Sequence, residues 1–174
     1  MDLSGKKILM VIAPENFRDI EYFEPKKALE EYAVQIRVAS TQIGQAHGAD
    51  GGEVQIDLTL TEVNVNDYDG VVFVGGPGMV ELIEHQGLIQ LAQNFYQAGK
   101  LAAGICVAAA ILAKAGILIG KRATCWGGAK NYLVQGGAIY TGTSVEVDDK
   151  IITANGPQAA HEFGHKIAEI LSSL

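Results

Sequence analysis

Cys106 stands where one apolar run, Leu101-Ala102-Ala103-Gly104-Ile105, passes into a second, Val107-Ala108-Ala109-Ala110-Ile111-Leu112. The pattern is that of a strand feeding a helix through a tight bend with one cysteine at the turn, the arrangement of a nucleophile elbow. In such a bend the residues two before and two after the reactive side chain must be small so that the backbones can pass; Gly104 and Ala108 satisfy this. The N-terminus of the following helix presents unpaired N–H groups and the positive end of a dipole, which lower a thiol's pKa and favour the thiolate. The same residues also fit a buried cysteine packed as a small hydrophobe.

A second candidate is Gly75-Gly76-Pro77-Gly78, which follows the apolar run Val71 to Val74. It matches neither the dinucleotide fingerprint nor the P-loop lysine pattern. It reads as a tight strand-to-helix turn that needs glycine dihedrals, and such a turn beside an elbow exposes backbone N–H groups that, with that of Val107, would form an oxyanion hole. A third is His161-Glu162-Phe163-Gly164-His165, which fits the H-E-x-x-H signature of zinc peptidases. It lies too near the C-terminus for a following segment to supply a third ligand, and Gly164 weakens the helix. Phe163, Ile167, Ile170, Leu171 and Leu174 share one apolar face, which leaves His161 and His165 on the solvated side. The match reads as chance, with at most weak adventitious metal binding, and no metal site is expected. His47 and His85 sit in loops and give no ligand cluster.

The scaffold that must position these groups follows from size and pattern. The 174 residues, 48% hydrophobic and 19% charged, suit one globular domain over residues 1–174. The net charge of −7 is spread along the chain, which argues against nucleic acid or an anionic membrane as main partner. The first apolar run, Ile8 to Ala13, is too short for a signal segment or a membrane span, so a cytoplasmic location is expected. Cys106 and Cys125 are the only cysteines, too few for a secreted-type disulfide framework.

Apolar runs at Ile8 to Ala13, Val71 to Val74 and Leu101 to Ile105 read as parallel strands covered on both faces. Further strands are predicted at Gln35 to Ala39, Val54 to Leu58, Ala138 to Tyr140, Ser144 to Val147 and Ile151 to Ala154. Helices are predicted from Pro25 to Tyr32, Leu88 to Gln97 and Val107 to Ala115, with a closing helix that Pro157 can start. The alternation gives an α/β fold with a mainly parallel sheet. Ligands in such sheets bind beyond the carboxyl ends of the strands, so Pro14-Glu15-Asn16, Gly75 to Gly78 and Cys106 should converge on one pocket.

Val72 to Gly78, Ala103 to Cys106, Gly120-Lys121-Arg122-Ala123-Thr124, Gly136-Gly137-Ala138, and Ile152 to Pro157 with Glu162-Phe163 together resemble the PfpI/ThiJ superfamily, in order and spacing, over nearly the whole chain. The resemblance implies a flavodoxin-like three-layer α/β sandwich of the class I glutamine amidotransferase-like group, a homodimer, and Cys106 as the reactive elbow cysteine. Activities attributed to relatives include cysteine peptidase, glyoxalase III, deglycation, isonitrile hydration, chaperone action and oxidative-stress sensing. This sequence departs from the pattern at two stations. Val107 stands where the peptidase-like branch has a histidine after the cysteine, and Cys125-Trp126 stand where other members place a second one. Glu81 lies one position from the glutamate that peptidase-like members lend across the dimer.

The family also uses a glutamate, after the first strand, hydrogen-bonded to the elbow cysteine. Matching forward from the strand brings Glu15 close to that position; matching back from the helix start at Glu21 to Pro25 puts Arg18 there. A loop acid after an apolar strand lies at a pocket mouth, which favours Glu15 and then Asp19, with Glu21 and Glu24 capping the helix start. Were Arg18 to face Cys106, it would stabilise a thiolate and bind an anionic substrate. By the resemblance Cys125 and Trp126 reach the pocket. Cys125 reads first as a small apolar residue and second as a resolving thiol for oxidised Cys106; Trp126 walls the site or fills core. The expected activity is attack by Cys106 on a small reactive carbonyl or its protein adduct, with Glu15 relaying the proton, Gly76 and Val107 N–H groups holding the oxyanion, Gly75 nearby, and no cofactor. The alternatives are a non-catalytic oxidative-stress sensor or chaperone with an oxidisable Cys106 and, below it, an intracellular cysteine peptidase or other small-molecule hydrolase or hydratase.

Overall fold

The computed structural model describes residues 1–174. Its first half contains β1 (Lys7–Val11), β2 (Glu15–Phe17), α1 (Asp19–Glu30), β3 (Gln35–Ser40), β4 (Gly44–Gly48), β5 (Glu53–Ile56), β6 (Leu58–Thr59), β7 (Gly70–Phe73), α2 (Pro77–Val80) and α3 (Gln86–Gln97). Then follow β8 (Leu101–Ile105), α4 (Ala109–Lys114), β9 (Arg122–Ala123), α5 (Lys130–Gln135), β10 (Ile139–Tyr140), β11 (Val145–Asp148), β12 (Ile151–Ala154) and α6 (Ala160–Leu171). Seven strands form one sheet in the order β11-β12-β8-β7-β1-β3-β6. Every neighbouring pair in it is parallel except β11 with β12.

The alternation of side chains along each strand splits the core in two. Leu9, Val11, Val71, Phe73 and Ala102 point to one face, where Leu91, Phe95, Ile111 and Leu112 of α3 and α4 cover them. Ile8, Met10, Val72, Ala103 and Ile105 point to the other, where Tyr22 and Leu29 of α1 and Phe163 and Ile167 of α6 cover them. Helices on both faces of a mainly parallel sheet make the three-layer sandwich that the continuous apolar runs imply. No helix is long and apolar enough to cross a membrane.

Three differences from the predicted elements bear on function. Helix α1 begins at Asp19 and carries Pro25 in its interior instead of at its start. An interior proline removes an N–H and crowds the preceding turn, but Pro25 is buried against α6, where Gly164 permits close approach: a Cβ there would stand 2.7 Å from Pro25 Cα and 2.8 Å from Ala28 Cβ. Gly164, read as a flaw in a zinc helix, is thus a packing residue. The helix after the cysteine is shorter than predicted, because Cys106–Ala108 form a 3-10 turn before α4. Finally, β2, β4 and β5 form a separate small sheet, of which only the last strand showed an apolar alternation.

Candidate active site

Cys106 follows directly on β8 with φ of +61°, in the left-handed region that side-chain-bearing residues seldom adopt. Such a conformation costs on the order of 1–3 kcal/mol and persists where its surroundings enforce it. Here they do. The strand before the bend is paired on both sides, with Gly104 opposite Phe73 and Thr153. A Cβ at Gly104 would stand 3.1 Å from Ala109 Cα, so the small residue lets strand and helix pass. The Trp126 N–H donates to the Cys106 carbonyl at 3.3 Å. The cysteine side chain is half-buried and packs against both core clusters.

The carboxylate beside it is Glu21, on the first turn of α1. Glu21 is fully buried, and neither of its oxygens has a hydrogen-bond partner of good geometry. Gly75 separates the two groups: a Cβ there would collide with Glu21 Oε2 and stand 2.8 Å from Cys106 Cβ. Burial pushes the Glu21 carboxyl up to about 7, against the smaller pull of the Cys106 thiol, the Arg18 charge and the Gly75 N–H. The Cys106 thiol is pushed up to about 12, first by burial and then by the negative charge of Glu21, with the Val107 N–H and Arg18 opposing. The lowered thiol pKa expected from a helix N-terminus is therefore not what the environment produces. Desolvation and a like charge outweigh one N–H and a short helix. Each group thus perturbs the other: the Glu21 charge raises the thiol, and the thiol draws the carboxyl down.

A cavity of about 590 Å³ opens over this pair. Cys106, Val107, Glu21, Gly76, Arg18 and Trp126 line it, with Ile20, Asp50, Pro77, Val80 and Pro157 completing the wall. The wall is largely apolar, and its exposed charge is the pair Arg18 Nη1 to Asp50 Oδ2 at 3.3 Å. Gly76 has φ of +116°, and a Cβ there would meet Asn16 O at 2.8 Å, so only glycine lets this turn lie against the segment after β1. The Arg18 N–H donates to the Gly75 carbonyl at 3.0 Å, closing the junction.

Of the residues selected from sequence, Cys106, Val107, Gly76, Arg18 and Trp126 meet at the cavity, and Gly75 lies beneath the Glu21–Cys106 contact. Glu15 does not join them. The φ of +58° at Asn16 bends the chain so that Phe17 enters the core, while Glu15 pairs in register with His47 of β4 and its Oε1 lies 3.0 Å from His47 Nδ1. Asp19 turns to a neighbouring loop, accepting the N–H groups of Asp50 at 2.9 Å and Gly52 at 2.6 Å. Cys125 is buried in the core, its thiol pushed up to about 12 by burial alone. Glu21 was assigned to capping, and a signal for it was present. With a helix from Asp19, Glu21 shares the face of Tyr22, Pro25, Ala28 and Leu29, all buried. Asp50 had no such signal, since its Gly-flanked loop carries no periodicity.

Known proteins repeat this architecture. A crystal structure of a ThiJ/PfpI domain protein from Brachyspira murdochii superposes with a TM-score of 0.94 at 36% identity, covering 100% of this chain and 99% of that one. The Drosophila melanogaster DJ-1beta structure gives 0.86 at 30% identity, over 100% and 92%. In sequence, an uncharacterised protein of Methanocaldococcus jannaschii is 38% identical over 98% of this chain and 84% of its own. A glutathione-independent glyoxalase of Caenorhabditis elegans is 30% identical over 95% and 89%, and a deglycase of Pyrococcus furiosus 28% identical over 95% and 99%. The family model that matches describes the DJ-1/PfpI family and spans residues 6–170. With fold, bend and sequence in agreement, the chain belongs to the DJ-1/PfpI family.

Proposed function

We propose that this protein is an enzyme acting on small reactive carbonyls or their adducts on protein, with Cys106 as nucleophile and Glu21 as proton carrier. The observation that carries the reading is Glu21 itself: a fully buried carboxyl without a good hydrogen-bond partner, set against a strained cysteine at the floor of a cavity. Leaving such a group unsatisfied destabilises the fold, and perturbed acids in clefts mark functional sites. The names of the glyoxalase and deglycase relatives point to the same substrate class.

The steps follow from the environment. The cavity lining offers two carboxyls, Glu21 and Asp50, and of these Glu21 is the one set against Cys106 and takes the part of base. A carboxyl near 7 is ionised in a large fraction of molecules at neutral pH and suits proton transfer in both directions. As Cys106 Sγ bonds to the carbonyl carbon and the C=O π bond opens, the thiol proton passes to Glu21. The N–H groups of Gly76 and Val107 receive the developing oxyanion. Protonated Glu21 then returns its proton to that oxygen, leaving a hemithioacetal and a carboxylate ready for the next transfer. A neutral thiol that loses its proton only on attack is also spared from oxidation, which needs the thiolate. This sets the sensor reading below the enzyme reading.

The exposed apolar side chains Ile20, Val80 and Trp126 line the cavity mouth, and the homodimer implied by the family would cover such a surface; sedimentation analysis tests it. The test of the enzyme reading is methylglyoxal consumption. Wild-type turnover with loss to background in Cys106→Ser supports it, and absence of turnover on methylglyoxal and on glycated peptide alike would end it.

A further inference from the structure

The carbonyl chemistry uses none of the residues of His161-Glu162-Phe163-Gly164-His165, yet the structure arranges two of them closely. His161 and His165 lie one turn apart on the outer face of α6, with Nε2 atoms 3.3 Å apart and ring centroids 4.5 Å apart. The Nδ1 atom of His165 lies 3.1 Å from Tyr32 Oη, and the Tyr32 ring meets the imidazole edge-on at 5.8 Å. Tyr32 comes from a different segment, just beyond α1, where its carbonyl accepts the Leu3 N–H at 2.8 Å. One imidazole is thus held from behind while its free nitrogen faces the other.

Two ligand nitrogens on a tetrahedral zinc, each about 2.0–2.1 Å from the metal, stand about 3.3–3.4 Å apart. The observed separation meets that requirement as it stands. When His165 carries its proton on Nδ1 and donates it to Tyr32 Oη, its Nε2 lone pair faces His161, the usual outer-shell support of a metal-bound imidazole; metal binding then requires His161 to hold its proton on Nδ1 in place of the Nε2–Nε2 hydrogen bond. Paired imidazoles suit Zn²⁺, Ni²⁺ and Cu²⁺ better than hard cations. We propose that His161 and His165 form a bidentate surface site for a divalent cation of this borderline class, with Tyr32 positioning His165 and water completing the coordination.

The site binds without hydrolysing. No third His, Cys, Asp or Glu stands with the pair, and the Glu162 carboxylate that would serve as base in a zinc peptidase accepts instead from the Ser144 hydroxyl at 3.3 Å. Because both ligands belong to α6, bound metal braces that helix, and binding to the folded state alone raises stability.

The experiment is calorimetric titration of Zn²⁺ into the full-length reduced protein, with melting temperature read in Zn²⁺ and in EDTA. One Zn²⁺ per chain and a higher melting temperature with the metal are expected. His161→Ala and His165→Ala should remove the binding, Cys106→Ser should leave it unchanged, and Tyr32→Phe should weaken it about tenfold. His161 is exposed, so its substitution tests binding without testing folding. Affinity unchanged in both histidine variants, or lost in Cys106→Ser, would overturn the proposal; affinity unchanged in Tyr32→Phe would overturn the role given to Tyr32.

Discussion

Cys106 and Cys125 hold thiols pushed up to the same value, about 12, by different environments. At Cys125 burial is the whole cause: the side chain sits in the core among apolar neighbours, with no charge in reach. At Cys106 burial is joined by the charge of Glu21 and opposed by Arg18 and the Val107 N–H. A thiol suppressed by desolvation alone is inert. One suppressed partly by a neighbouring carboxylate is suppressed conditionally, because protonating or removing that neighbour releases it. In the proposed chemistry the reactivity of Cys106 therefore lies less in a standing thiolate than in a proton passed between sulfur and a buried acid.

Cys106→Ser should abolish carbonyl turnover, whereas Cys125→Ser should retain most of it, read as methylglyoxal consumption; equal losses would place Cys125 in the chemistry. Next is Glu21→Gln, which keeps shape and removes the charge. Turnover should fall about 10²-fold or more, the loss typical of a missing acid–base group, while the Cys106 pKa falls and that of Cys125 stays put.

The same substitution has a stability signature with a definite sign. Glu21 has its carboxyl near 7 in the folded protein and at 4.5 as the ordinary value, so between those limits the folded state binds the extra proton. Its contribution is complete below about pH 4.5 and is lost as pH rises to about 7, a change of about 3 kcal/mol. Glu21→Gln should erase that slope, measured by urea unfolding at pH 5 and pH 8. A smaller effect is expected from Arg18→Ala. Removing its charge should raise both the Glu21 and the Cys106 pKa, shifting the acidic limb of the pH–rate profile upward. Smallest of all is Glu15→Gln, which should leave turnover unchanged, since Glu15 faces His47 outside the cavity.

The central sheet was legible because Ile8 to Ala13, Val71 to Val74 and Leu101 to Ile105 are short apolar runs, most of them rich in β-branched residues and bounded by turn signals, which favour strands covered on both faces. The cysteine bend was legible for a similar reason, as Gly104 and Ala108 flank one thiol at the joint of two apolar runs. Its proton partner was not. Pro25 is a good first-turn residue by local preference, and starting the helix there placed Glu21 in a loop and Glu15 at the pocket. The tertiary contact between α1 and α6, made possible by Gly164 more than a hundred residues away, lets the helix run through the proline from Asp19. Local rules could not supply that contact, although the periodicity of Glu21, Tyr22, Pro25 and Ala28 carried a trace of it. The thiol's pKa failed for a related reason: a helix terminus is visible in sequence, and the desolvation and buried charge that outweigh it are not.

The most direct measurement is the rate of iodoacetamide alkylation at Cys106 against pH, resolved from Cys125 by mass spectrometry, in wild type and Glu21→Gln. Two resistant thiols are expected in the wild type, with Cys106 titrating well above the roughly 8.5 of a free thiol. In Glu21→Gln, Cys106 alone should titrate at lower pH. A Cys106 thiolate already present at neutral pH in the wild type, or one indifferent to the loss of Glu21, would contradict the shared proton on which the proposed chemistry depends.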